Sequence, residues 1–134
     1  MNIIGEKEGF KEFEQYSIWM EKGNIHTVYK PDLIITIDIA RQMVNHRLEL
    51  NNGITHPVFI DVRNLVAIKA DARKHLAGPK AVKYVSAGAI YLDNYLHYLA
   101  GNVFLKIDKP AIPSRLFTDK EKAFLWLESF KNLN

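Results

Sequence analysis

The stretch Pro57-Val58-Phe59-Ile60-Asp61-Val62 is an apolar run with no alternation of polar and apolar residues. A strand with one wet face alternates, so this one reads as covered on both faces. That requirement points to a layered α/β body with helices packed on a sheet. The chain around the run supplies the layers. Before it, Ile37, Ala40, Val44 and Leu48 recur at helical spacing, Met43 widens the stripe, and Thr36 is placed to cap the helix. Asn51-Asn52-Gly53 stops it with residues that tolerate the left-handed conformation of a helix end.

Earlier still, Tyr16–Glu21 and Ile25–Tyr29 flank the turn Lys22-Gly23-Asn24 and read as a β-hairpin, broken at Lys30-Pro31-Asp32. Residues 1–14 mix charges with isolated apolar positions and read as a lead, mobile or a short helix, ahead of a domain spanning 15–134. Downstream, Asp71–Ala77 is a short helix ended by Gly78-Pro79, and Val85–Leu92 is a strand rich in small residues. A helix from about Asn94 to Ile107 and a strand from Ile112 to Phe117 follow. Thr118-Asp119-Lys120-Glu121 fits a capping box that opens a last helix, from Asp119 to near Lys131, with Ala123, Phe124, Leu127 and Phe130 inward. A hairpin followed by strand–helix alternation predicts a single α/β domain on a mixed, mostly parallel sheet with right-handed crossovers.

At 134 residues with 48% hydrophobic and 25% charged side chains, the chain suits one domain with one sizeable core. The absence of cysteine excludes a disulfide framework, a thiolate metal site and a cysteine nucleophile. A net charge of +3 is too small and too dispersed for a nucleic-acid binder. Residues 1–9 lack the basic start and apolar core of a signal peptide, and no apolar run reaches the ~18 residues that cross a bilayer. A cytoplasmic protein without an integral membrane segment is the expectation.

The element order, together with Tyr29-Lys30-Pro31, Ile60-Asp61-Val62-Arg63-Asn64, Gly101-Asn102-Val103-Phe104-Leu105-Lys106-Ile107 and Arg115-Leu116-Phe117-Thr118-Asp119, resembles STAS-like domains. These include bacterial anti-sigma-factor antagonists, and the chain looks most like small standalone bacterial proteins placed near that class. The resemblance runs from about Tyr16 to Phe130 and implies a STAS-like fold in a regulatory or protein-binding module. Antagonist-type members carry a phosphorylated serine where the turn after the central strand enters the next helix. Aligned on Asp61, that stretch here is Lys69-Ala70-Asp71-Ala72, with no hydroxyl. Asp71 stands about where the serine would be: a permanent carboxylate imitating phosphate, or simply a helix cap.

Asp61, Arg63 and Asn64 sit where a parallel strand ends, which is where ligands gather in open α/β sheets. An arginine there can grip a carboxylate or phosphate, and the same residues can instead hold the turn. Lys69, Arg73, Lys74, Lys80 and Lys83 form a basic stretch that reads as a solvated face or as a lure for an acidic partner. The helix around 94–107 is apolar almost all the way round. Such a helix needs cover beyond one sheet face. A two-fold self-contact through Tyr95, Tyr98, Leu99 and Phe104 is the leading account, and cover by the chain's own ends is the competing one.

The histidines at 26, 46, 56, 75 and 97 show no metal-binding spacing, the glycines form no phosphate loop, and no nucleophile elbow occurs. These absences predict no metal, no cofactor and no enzyme. The leading expectation is a non-enzymatic regulatory module with a protein partner. The alternative is a carrier or sensor whose pocket for a small apolar or anionic molecule lies between the 94–107 helix and the strand segment Ser86–Ala89.

Overall fold

A computed structural model describes residues 6–131, apart from the side chains of Leu96, Leu99, Ala100, Phe104 and Ile107. The elements run β1 (Glu8–Glu12), β2 (Tyr16–Glu21), β3 (Asn24–Tyr29), β4 (Leu33–Ile35), α1 (Ile37–Asn51), β5 (His56–Asp61) and β6 (Leu65–Ile68). They continue with α2 (Ala70–Ala77), α3 (Pro79–Val82), β7 (Val85–Tyr91), α4 (Tyr95–Asp108), β8 (Ser114–Phe117) and α5 (Lys120–Glu128). The main sheet has the order β1-β2-β3-β5-β7-β8. Its first two pairings are antiparallel and the other three parallel. A separate pair, β4 and β6, is parallel.

The local chemistry of α1 acts as its sequence implies. Thr36 Oγ1 accepts the Ile39 amide, and Asn52 closes the other end in the left-handed region with φ 48°. Two other helix starts differ from expectation. Asp119, not Thr118, caps α5, its Oδ1 accepting the amides of Glu121 at 2.9 Å and Lys122 at 3.2 Å. With Asp119 as the cap, the third helical position is Lys122 rather than Glu121, so no glutamate stands where a capping box needs one. Likewise α2 begins from Lys69, and Asp71 lies inside its first turn rather than at the cap.

The largest correction concerns the lead. Residues 1–5 lie outside the described part, but Glu8–Glu12 is an edge strand rather than a mobile segment or helix. All five of its residues are exposed, so no apolar pattern announces it. Its structure comes from pairing with β2, through a register shift between Glu8 and Lys11. Gly9 makes the shift possible: it adopts φ +64°, and a Cβ there would come within 2.7 Å of Leu50 Cδ1.

The two sheet faces carry separate cores. Phe59, Ala87, Ala89 and Phe117 face α5 through Ala123 and Leu127. On the other face, Ile18, Ile25 and Val58 meet Ala40 and Met43 of α1 and Ala72 of α2. The central strand β5 thus sends alternate side chains into both layers, which is why its sequence does not alternate. Helix α4 approaches β8 on this second face, Gly101 against Leu116.

Candidate functional site

Between α4 and the sheet, the second face does not close. A cavity of about 440 Å³ lies there, with Val58 and Ile60 of β5, Gly88 and Ile90 of β7 and Leu116 of β8 as its floor. Leu76 of α2, with Gly101 and Leu105 of α4, forms the opposite wall, and β6 closes one side with Leu65 and Ile68. A bulge in β7 helps to shape the floor. Between the pairings His56 with Val85 and Val58 with Gly88, β5 advances two residues and β7 three. Ser86 is thereby turned to the α5 side, where its hydroxyl donates to the Phe130 carbonyl at 2.7 Å. Gly88 remains under the cavity with no side chain to fill it.

The cavity's size falls within the ~300–1,000 Å³ of small-molecule sites, it is open on one side, and its walls are mostly apolar. Polar groups at its boundary are few: Tyr29, Arg73, His97 and Ser114. Ser114 is satisfied, donating to the Ile112 carbonyl at 3.2 Å, and burial pushes the Tyr29 hydroxyl above its usual range. Arg73 is the one permanent charge among the described lining residues. The sequence reads it as part of a solvated face or of a lure for an acidic partner; its side chain is 32% exposed, and its Nε lies 2.8 Å from Oδ2 of Asp108, the last residue of α4.

The polar residues singled out in the sequence lie apart from this cavity. Asp61, 4% exposed, takes Arg63 in a fork, with Nε to Oδ1 at 3.0 Å and Nη2 to Oδ2 at 2.8 Å, and also accepts the Arg63 amide. The Asp61 hydrogen bond holds the Arg63 guanidinium above its ordinary range. That guanidinium also lies 4.9 Å from the centre of the Tyr91 ring, which packs toward the α5 core. Asn64 reaches the other way, donating to the Tyr29 carbonyl at 3.0 Å. Asp71 is exposed, and its Oδ1 accepts the Ala72 amide at 2.8 Å. These four residues do not converge on one point.

On α4, Tyr95 is 69% exposed and stacks on half-buried Tyr98 with ring centres 6.1 Å apart, while the side chains of Leu99 and Phe104 lie outside the described residues. Val103 adds a further exposed apolar side chain.

A buried latch went unrecognised in the sequence. Arg47, 6% exposed, donates to the Lys83 and Ala81 carbonyls at 2.9 Å each and to Asn51 Oδ1. Asn51 in turn donates to the carbonyls of Ile54 and Tyr84. Burial lowers the Arg47 guanidinium to about 10. The signal was present: both residues continue the inward stripe of Ala40, Met43 and Val44 at helical spacing, so polar side chains there had to bond inside.

The six-stranded mixed sheet, with helices on both faces and an antiparallel start, has a SpoIIAA-like, that is STAS-like, fold. A crystal structure of an uncharacterized protein of the DUF3478 family from Shewanella loihica PV-4, with a SpoIIAA-like fold, matches at a TM-score of 0.60. The identity is 21%, covering 89% of this chain and 99% of that one, which speaks to fold alone. The chain itself belongs to the family described as Domain of unknown function (DUF7793), whose model matches residues 18–131. A search of the curated proteins finds no match. Among the described residues no helix is long and apolar enough to cross a membrane.

Proposed function

We propose that the chain is a binding module that carries or senses a small apolar molecule in the cavity beneath α4. The observation that carries this reading is a half-open hollow of about 440 Å³ with mostly apolar walls between α4 and the sheet. Interiors of this kind normally fill to crystal-like density, because each unfilled wall forfeits dispersion contacts. A mostly apolar hollow of this size leaves its walls against water or against nothing, and an apolar guest would relieve that. In this reading the Asp61–Arg63 fork braces the end of β5, and Asn64 ties the following turn to β3. Native mass spectrometry of the purified protein tests the proposal. A stoichiometric apolar guest, or uptake of an apolar fluorescent probe at one site per chain, supports it. A bare chain that takes up no such probe removes it.

A regulatory, protein-binding role through self-association draws support from a different observation, the exposed Tyr95 and Val103 on α4. Light scattering behind size-exclusion chromatography tests it. A dimer that Val103→Glu or Tyr95→Glu dissociates supports this role, and a monomer at tens of micromolar counts against it.

A further inference from the structure

The apolar cavity reading leaves one group unexplained, the cation in its wall. Arg73 lines the apolar cavity with its side chain 32% exposed, and Asp108 beside it has a carboxylate side chain only 8% exposed. Withdrawing the Asp108 carboxylate from water carries a desolvation cost, and a container for pure hydrocarbon gains nothing from it. Asp108 is also poorly sited for the task. As the last residue of α4 it faces the negative end of the helix dipole, which disfavours a carboxylate there. A carboxylate arriving from the cavity side meets the same guanidinium without that penalty.

Resting on the cavity reading, we propose that Arg73 is the head-group ligand and that the guest is a single-chain amphiphile ending in a carboxylate, which displaces Asp108 from Arg73. The planar guanidinium matches a carboxylate edge to edge. One permanent cation in a mostly apolar lining matches one negative charge, whereas a phosphate dianion would bring a second charge that no second permanent cation among the described lining residues meets. The methylene chain then lies along Ile60, Ile90 and Leu105 on the hydrocarbon side of the wall. Entry of the guest and release of the end of α4 from α2 become one event.

The test compares dodecanoate with dodecanol, equal in chain and different in head, by displacement of a fluorescent apolar probe at about pH 8. Dodecanoate is expected to bind at least tenfold more tightly than the alcohol, and Arg73→Gln to bring the two to parity. Asp108→Asn removes the competitor, so it should tighten dodecanoate several-fold and leave dodecanol unchanged; this arm decides the matter even where the Arg73 variant fails to fold. Equal binding of acid and alcohol, with Asp108→Asn moving neither, overturns the head-group assignment and leaves the apolar cavity standing. Failure of both to bind overturns the two together.

Discussion

Gly101 of α4 rests on Leu116 of β8 so closely that a Cβ built on the glycine would come within 2.7 Å of Leu116 Cδ1. Gly101→Ala sets a gain in helix propensity of about 1 kcal/mol against a shift of one leucine side chain, and should leave stability nearly unchanged. Gly101→Val cannot be absorbed in that way. It should lower stability by about 1–3 kcal/mol, as overpacked interfaces do, and loosen α4 from the sheet. Urea denaturation and amide exchange across residues 95–108 measure the two effects.

Arg47 joins α1 to the segment before β7 through two backbone carbonyls. Arg47→Met should strip those part-buried carbonyls and the buried Asn51 Oδ1 of their donor, at about 1–3 kcal/mol for the buried group. Arg47→Lys is expected to recover little, because a single ammonium cannot reproduce the fork. Thermal and urea unfolding of both variants check this.

His26 is 7% exposed and stacks on Trp19, with Phe59 and Phe124 closing around it and Glu21, Lys120 and Lys7 as the charged groups nearby. Burial lowers its proton affinity in the fold, against an opposing pull from Glu21. The unfolded chain therefore takes up the proton first, near its ordinary value of ~6.5. Stability is full above that value and falls as pH drops below it toward the folded value. His26→Phe should flatten the decline in urea midpoint between about pH 7.5 and 5.5. Glu12, held low by its bond to Lys30, acts in a separate window below about 4.5, where acid removes its contribution.

Asp61 is a buried carboxylate whose partner Arg63 reaches water. Asp61→Ala should cost about 1–3 kcal/mol by freeing the guanidinium and the Arg63 amide. Asp71→Asn, at an exposed site in the first turn of α2, should cost at most ~1 kcal/mol, the worth of a carboxylate near a helix start. A loss of partner binding with stability intact in the Asp71 variant would instead reveal a charge-dependent contact. Paired urea curves and pull-downs separate the cases.

The residues that revealed themselves in sequence are those whose chemistry is local. Thr36 and Asn52 bound α1 through their own side chains and backbone angles, and the hairpin of β2 and β3 follows from Gly23 between two strand-forming runs. The unbroken apolar run of β5 announced two covers, and two exist. β1 was illegible because its order is lent by β2, and β4 and β6 because strands of three and four residues carry too little pattern. The SpoIIAA-like class was legible from the order of elements. The cavity was legible only in part. Small residues in β7 and excess grease in α4 pointed to the space between them, but its volume depends on where atoms are missing. Arg73 looks like its basic neighbours in the sequence, since its ion-pair partner Asp108 is distant in the chain.

The outermost strand, Glu-Gly-Phe-Lys-Glu, carries three charges and a kink at Gly9. At the far margin, β8 spans four residues and includes Arg115. Neither border offers a long, flat, uncharged template on which a stranger's backbone could zip, so the sheet ends where it does by design of its margins. A concentrated stock should stay clear of amyloid-type dyes, and replacing Glu8, Lys11 and Glu12 together by valine should turn that border into a seed for fibres.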